Sequence, residues 1–387
     1  MDYYMLLVRV LLTFQSGKVA TIQHPDLAEW RERWQCLKQL QGDEKVSKES
    51  ATAGREVPAA SGGLAEQVLL AAIRRGEYVQ LLPMEEATGG VWAVAFSPDG
   101  LRIATGHGSK TAQLWDTVGQ HKLGRPLFGH TDLVLTVAFS PEGALLATGS
   151  RDGTVRLWDV AGRMSVAEPL DGHDAGVSLV RFSGDGRFLI TVGRTIRLWD
   201  LADAEHPSRI GKPFSSSLTA EPALSTDGLL ATGHANGVVQ LWDLPTQTKI
   251  DGVLRGHADR VTATAFSPDG RLLATAGCDI QLWDVDSRRM IHEPLTCQQE
   301  HVQTLSFSPD GQLLAAVTGV RGQKQKETPT DIVRLWDTRT WQPVGEPLEG
   351  HEGVVRAAAF SPDSRLYATG GDDGLLRMRI LPAAPHW

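Results

Sequence analysis

The segment TVRLWD at residues 154–159 indicates the fold, because its last three residues recur along the chain. The tripeptide Leu-Trp-Asp occurs six times, and consecutive copies are 43, 41, 43, 41 and 53 residues apart. A further step of 43 residues from Trp336 reaches Arg379, within a copy that has lost its Trp-Asp. The sequence therefore contains seven copies of a unit of about 40 residues.

Each copy is a series of short apolar runs separated by turns. The run VWAVAF at 91–96 is followed by the turn SPDG at 97–100. A second run, such as LLATGS at 145–150, and a polar turn at 151–153 lead to the third run. Such short runs between turn signals are typical of strands, because helices need about ten residues or more. Three clear strands and a weaker fourth per copy predict an all-β, seven-bladed β-propeller of four-stranded antiparallel blades.

The copies also share a Gly-His pair, which precedes the first run in four of them, at 129–130, 172–173, 256–257 and 350–351. Together with the Leu-Trp-Asp endings, these pairs resemble the WD-repeat family from about residue 78 to residue 380. The resemblance implies a non-catalytic scaffold that binds a protein or peptide on the top face of the propeller, and hence no enzyme.

Two alternatives stay open. The linkers at 124–127, 168–170 and 346–348 are similar to those of bacterial WD-repeat arrays fused to NTPase or kinase modules. That similarity implies a sensor or regulatory propeller of a larger signalling system. The other alternative is a propeller enzyme with its active site at the mouth of the central channel, which would need carboxylates or histidines converging there.

The ring has to be closed by a segment from outside the repeats. In the family, the outer strand of each blade follows Trp-Asp, yet the last copy is followed only by a tail with two prolines. Proline is a poor strand residue, so residues 77–82 are predicted to supply the outer strand of the last blade. The propeller would then span 77–387, and 1–76 would form an extension with helices near 26–41 and 64–75 and a flexible linker between them.

The resemblance also implies a buried hydrogen-bond chain within each blade. The family uses a His before the first strand, a Ser or Thr in the second strand, an Asp in the second turn, and the Trp. Blade two contains every member, and blades one, three, four, five, six and seven depart from the pattern. These structural residues in blade two are His130, Thr148 or Ser150, Asp152 and Trp158.

One position of the first strand varies among the copies while its neighbours stay apolar. In the family fold this position meets the top rim beside the channel, and Trp and Arg are enriched at interface hot spots. Drift at a half-exposed position would give the same pattern. The predicted partner-binding residues are Trp92, Leu135, Gln303 and Arg356 on the rim, with Arg321, Lys324 and Lys326 in a long, basic second turn of blade six.

Composition limits the classes of partner. Asp and Glu total 46 against 38 Lys and Arg, and the net charge of −8 opposes binding to nucleic acids and anionic membranes. The three cysteines, Cys36, Cys278 and Cys297, are too scattered for disulfides or a zinc site. We therefore expect a cytoplasmic protein with protein or peptide partners, no cofactor and no metal.

Overall fold

A computed structural model describes three short N-terminal strands and then residues 89–117, 119, 121–215, 222–297, 301–319, 332–348 and 350–381. The strands are β1 (Leu11–Thr13) and β2 (Val19–Thr21), which pair as an antiparallel hairpin, and β3 (Val79–Gln80). The predicted helices near 26–41 and 64–75, and the linker between them, lie outside the described residues.

Seven antiparallel sheets follow one another along the chain, and each sheet is one blade. The strands of a blade are hydrogen-bonded in chain order, and the first strand of each blade borders the central channel. The predicted all-β, seven-bladed propeller is confirmed. Blades one to four consist of β4 Val91–Phe96, β5 Arg102–His107, β6 Ala112–Asp116 and β7 His121–Lys122; β8 Val134–Phe139, β9 Leu145–Ser150, β10 Val155–Asp159 and β11 Met164–Ser165; β12 Leu179–Phe182, β13 Phe188–Val192, β14 Thr195–Asp200 and β15 Ser208–Ser215; and β16 Ala223–Leu224, β17 Leu229–Gly233, β18 Val238–Asp243 and β19 Thr248–Arg255.

The last three blades differ at their outer edges. In blade five, two short strands both pair with the third strand, and in blade six the described outer edge consists of isolated bridges. These blades consist of β20 Ala263–Phe266, β21 Leu272–Ala276, β22 Asp279–Asp284, β23 Arg289–Met290 and β24 Leu295–Thr296; β25 His301–Phe307, β26 Leu313–Gly319 and β27 Ile332–Asp337; and β28 Val355–Phe360, β29 Leu366–Gly371 and β30 Leu376–Ile380.

Blade seven takes its fourth strand from the N-terminal side of the propeller. Val79 pairs with Ile380 and Gln80 with Arg379, so β3 lies antiparallel to β30. The rest of the predicted closing segment 77–82 lies outside the described residues. Two distant parts of the chain therefore share one sheet, which joins the ends of the propeller.

The hydrophobic core lies between blades rather than inside them. One cluster contains Leu157 of blade two with Val180 and Trp199 of blade three, and all three are buried. Each such side chain stabilises the fold by about 1.5–3 kcal/mol when it leaves water. A single blade buries little of its surface alone, so each blade depends on its two neighbours.

A glycine in the second strand allows adjacent blades to approach closely. A Cβ on Gly149 would lie 2.7 Å from Cγ1 of Val177 in the next blade, and one on Gly106 would lie 2.8 Å from Cγ1 of Val134. The same contact occurs where the ring closes, because a Cβ on Gly370 of blade seven would lie 2.8 Å from Cβ of Val91 in blade one. The Thr-Gly in the second run thus marks an inter-blade contact.

A second contact joins adjacent blades at the outer rim. The turn after Trp-Asp ends in a residue with positive φ that reaches back to the previous blade. Arg163 lies against Gly124, Arg288 donates to the carbonyl of Asp251, and the Trp341 ring lies 6.3 Å from that of His292. A left-handed backbone conformation is unfavourable for such large residues. The contacts with the previous blade offset this conformational cost.

Gly370→Ala tests the packing at the closure of the ring. The new methyl group would overlap Val91, so we expect a loss of about 1–3 kcal/mol in the free energy of unfolding. Urea denaturation measures it. Gly184→Ala is the matched control, because a Cβ there meets nothing within 4 Å. Equal stability of the two variants would contradict the close approach of blades seven and one.

Truncation tests the closing segment. We expect a chain that begins at residue 77 to keep the melting temperature of the full chain. A chain that begins at residue 83 lacks β3 and leaves the edge of β30 unpaired, so it should melt several degrees lower and self-associate. Differential scanning calorimetry and light scattering measure both effects. Identical melting of the two truncated chains would show that closure does not need this segment.

Candidate interaction surface around the central channel

Blade two contains a chain of buried hydrogen bonds centred on a threonine hydroxyl. Trp158 Nε1 donates to Thr148 Oγ1 over 2.9 Å, and His130 Nε2 lies 2.7 Å from the same oxygen. His130 Nδ1 lies 3.0 Å from Asp152 Oδ2. Because the carboxylate accepts the Nδ1 proton, Thr148 donates to the bare Nε2 of a neutral imidazole. Ser150 has a different task, since its hydroxyl donates to the Asp132 carbonyl in the adjoining loop.

The ionisation of this pair follows from burial and hydrogen bonding. Burial lowers the pKa of His130, and Asp152 offsets that effect only in part. Burial opposes ionisation of Asp152, but hydrogen bonds from Thr154 and Thr131 outweigh it and lower the pKa of Asp152 to about 2. At neutral pH this hydrogen-bond chain therefore contains a neutral His130 and an ionised Asp152.

Blades one and four replace the missing Gly-His pair with a histidine at the end of the second strand, two residues after the threonine. Thr105 Oγ1 lies 2.7 Å from His107 Nε2 and accepts a 2.7 Å bond from Trp115 Nε1. Blade four repeats this arrangement, with Thr232 Oγ1 lying 3.2 Å from His234 Nε2. This substitution was not predicted from the sequence. Its signal is the triplet Thr-Gly-His, at 105–107 and 232–234, in two of the three copies that lack the pair.

Blades six and seven also depart from the hydrogen-bond chain of blade two, blade six in the threonine and blade seven in the Trp. Ala316 pairs with Arg334 as Thr148 pairs with Arg156, so blade six has no hydroxyl at this position. In blade seven Arg379 stands where the other copies have Trp and is only 3% exposed. Burial, and then the nearby charge of Arg377, lower the pKa of Arg379 to about 10.

Two buried histidines have no carboxylate partner. Burial lowers the pKa of His107 to about 4, assisted by the charge of Lys122. Burial also lowers the pKa of His173 to about 4, assisted by Arg197. The Nδ1 atoms of both rings are buried without a hydrogen-bond partner in the structure as described. The charged forms of both histidines are disfavoured in the folded chain, so the free energy of unfolding depends on pH.

Acidification should destabilise the propeller through these two groups. A histidine with a lowered pKa binds its proton more weakly in the folded state than in the unfolded state. Its contribution to the free energy of unfolding is therefore fully present above pH 6.5 and is lost as the pH falls towards about 4. In that range each histidine should lower the free energy of unfolding by about 1.4 kcal/mol per pH unit. Thermal melts between pH 7 and 4.5 measure the slope. His107→Gln should flatten it, whereas the exposed His121→Gln should not; an unchanged slope in His107→Gln would refute the assignment.

The four predicted rim residues occupy equivalent positions around the channel. In each case the pairing of the first two strands skips one residue, for example between Val91 and Ala93. The skipped residue of a β-bulge has no cross-strand partner, which explains why its identity varies while its neighbours do not. Blades three and five have shorter second turns, and the pairing of their first two strands begins one residue after this position, at Leu179 and Ala263. The bulge residues are Trp92, Leu135, Gln303 and Arg356.

Trp92, Leu135 and Arg356 also line a central cavity of about 1660 Å³. Two of these residues contact each other, because the Arg356 guanidinium lies 4.5 Å from the centroid of the Trp92 ring. Arg356 Nε and Nη2 donate to the two carboxylate oxygens of Asp372, over 2.8 and 2.6 Å. This contact spans blades seven and one, so the two side chains have a structural role that the sequence did not predict. The basic residues Arg321, Lys324 and Lys326 lie outside the described residues.

The described ranges lack two other kinds of site. They contain no group of three or more His, Cys, Asp or Glu side chains that could hold a metal ion. Nor does any described helix have the length and apolarity needed to cross a membrane.

Comparison with known proteins now adds to this geometry. The family model described as "WD domain, G-beta repeat" matches five segments that correspond to blades one, two, three, five and seven. The chain is a WD-repeat β-propeller. The matched segments are 78–116, 121–159, 165–200, 248–284 and 341–378.

The copies that the family model leaves out are those of blades four and six, where this WD-repeat chain departs from the pattern. Blade four takes its histidine from the residue directly after the second strand, and blade six lacks the threonine hydroxyl. Both copies still fold as blades, because inter-blade packing does not need the complete hydrogen-bond chain.

The WD-repeat chain is also similar to curated proteins named "Eukaryotic translation initiation factor 3 subunit I". The protein of Culex quinquefasciatus is 25% identical over 162 residues, which cover 41% of this chain and 49% of that protein. The Bombyx mori protein is 29% identical over 160 residues, which cover 40% and 47%. The Drosophila ananassae protein is 26% identical over 189 residues, which cover 48% and 58%. The chain spans about half the length of the curated relatives it matches.

Proposed function

We propose that this chain is a non-catalytic scaffold that binds a protein or peptide on the top face of the propeller, with a partner contacting Trp92, Leu135, Gln303 and Arg356. The observation that carries the proposal is the set of four β-bulges, which present variable side chains at one rim of the channel. The bulge frees each side chain from the strand ladder, so it can meet a partner without disturbing the blade.

The residue types at the rim suit protein recognition. Trp92 is partly exposed beside the guanidinium of Arg356, whose side chain keeps 32% of its surface exposed. A tryptophan whose neighbour already holds it in place loses little side-chain entropy on binding. The curated relatives are subunits of an initiation factor by name, which supports membership in a multiprotein, cytoplasmic assembly.

The chemistry of the channel supports binding over catalysis. Its described lining consists of apolar, hydroxyl, amide and arginine side chains, with no carboxylate, imidazole or thiol. General acid–base or nucleophilic chemistry at the channel mouth would need such groups. The excess of acidic residues over the whole chain disfavours nucleic acid as the partner.

Affinity capture with the full chain tests the rim. Trp92→Ala and Arg356→Ala should each lose bound partners, with affinity falling about thirtyfold, as is typical of hot-spot truncation. Phe128→Ala is the control, because Phe128 is a 67% exposed aromatic residue that does not line the channel.

Thermal melts of each variant show whether the ring is intact, since Trp92 and Arg356 also contact each other. Retention of every partner by both folded rim variants would refute the proposed surface.

A further inference from the structure

Arg181 departs from the pattern of the other first strands. It lies in β12 and pairs with Ile190 in the adjacent strand of blade three. In the other six blades the equivalent residue is small and pairs with an alanine. These counterparts are Ala95, Ala138, Ala223, Ala265, Ser306 and Ala359. Packing therefore favours a small side chain at this position, and blade three has an arginine.

The direction of Arg181 follows from the alternation of side chains along a strand. Val180 is buried in the cluster shared with blade two, whereas Leu179 belongs to a cluster with Leu244 of blade four. Arg181 must therefore point to the same side as Leu179, towards blade four. The described part of the first strand of blade four is only Ala223–Leu224. Arg181 is exposed there and lines the central cavity.

A second arginine lines the same sector. Arg194 is exposed in the short second turn of blade three. Its neighbour Gly193 packs directly against the carbonyl of Gly176, which places this turn at the start of the first strand. Arg181 is five residues further along than Gly176, which is about 16 Å at the rise of a strand. Neither arginine has a hydrogen bond, ion pair or ring contact with any residue that the structure describes.

Charge complementarity identifies the ligand class. The described lining of the cavity contains three arginines and no carboxylate, in a chain whose acidic residues outnumber the basic ones by 46 to 38. Arg356 is already paired with Asp372, which leaves Arg181 and Arg194. Apolar side chains lie between blades three and four beside them, including Phe182, Leu198, Leu224 and Pro245. A small inorganic anion would make no use of this apolar surface.

We propose that the channel sector between blades three and four binds an extended acidic peptide segment of a partner, with two carboxylates paired by Arg181 and Arg194. A peptide in extended form rises about 3.3 Å per residue, so the two carboxylates lie about four or five residues apart. Guanidinium groups bind carboxylates through two parallel hydrogen bonds, which fixes the register of the peptide. The apolar residues of the peptide pack against Phe182 and Leu224. This site is independent of the rim around Trp92.

Fluorescence anisotropy on the full chain tests the proposal with three labelled ten-residue peptides, which alternate Glu, Gln or Lys with Leu. The Glu peptide should bind at least tenfold more tightly than the other two, and less tightly as salt increases. Arg181→Ala, which installs the residue found in five other blades, and Arg194→Ala should each weaken binding about tenfold. Arg181→Lys should retain part of the affinity.

Arg125→Ala is the matched control, because Arg125 is an exposed arginine outside the channel lining. It should leave the affinity unchanged, as should Trp92→Ala, so failure here and failure of the rim are distinguishable. Equal binding of the Glu and Gln peptides, or equal weakening by Arg125→Ala, would overturn the proposal. Displacement of the Glu peptide by millimolar inorganic phosphate would also overturn it, since the site would then take a small anion.

Discussion

Packing between neighbouring blades holds the propeller together. The clusters of buried side chains contain residues of two adjacent blades, as Leu157 and Trp199 show. The first strand of one blade must approach the second strand of the previous one, and a glycine such as Gly149 provides the room. Closure by β3 gives the last blade the same support as the others. The first strands of the blades enclose the channel, with its rim residues and arginines, because the ring is closed.

The polar chain inside each blade is secondary to that packing. A histidine reaches the threonine hydroxyl from the preceding loop in blade two and from two residues further along the chain in blades one and four. Both routes satisfy the buried hydroxyl and the indole N–H, which is the physical requirement. Blade six has Ala316 in place of the threonine and still forms its sheet. The hydrogen bonds therefore refine the stability and pH response of blades whose fold is set by apolar contacts.

The blade number and strand order could be predicted from the sequence, because turn residues and apolar runs are local signals repeated seven times. The position of the rim residues followed from comparing the copies, but their conformation did not. A bulge is a property of the pairing between two strands, so Trp92 alone gave no sign of it. The contact between Trp92 and Arg356 joins residues more than 260 positions apart and exists only in the closed ring. The isolation of Arg181 likewise depends on the adjoining blade.

Substitutions at the β-bulges differ in their consequences from substitutions elsewhere in the first strands. At most positions of a first strand, a substitution alters both the sheet and the joint with the next blade. At the bulge the side chain lies outside the strand ladder, so a mutation changes the surface offered to other molecules and leaves the pairing of the strands intact. A lineage can therefore acquire new associations at these positions without altering the sheet, although changes at Trp92 or Arg356 also alter a contact between blades. Gene duplicates of such a ring would diverge fastest at these points.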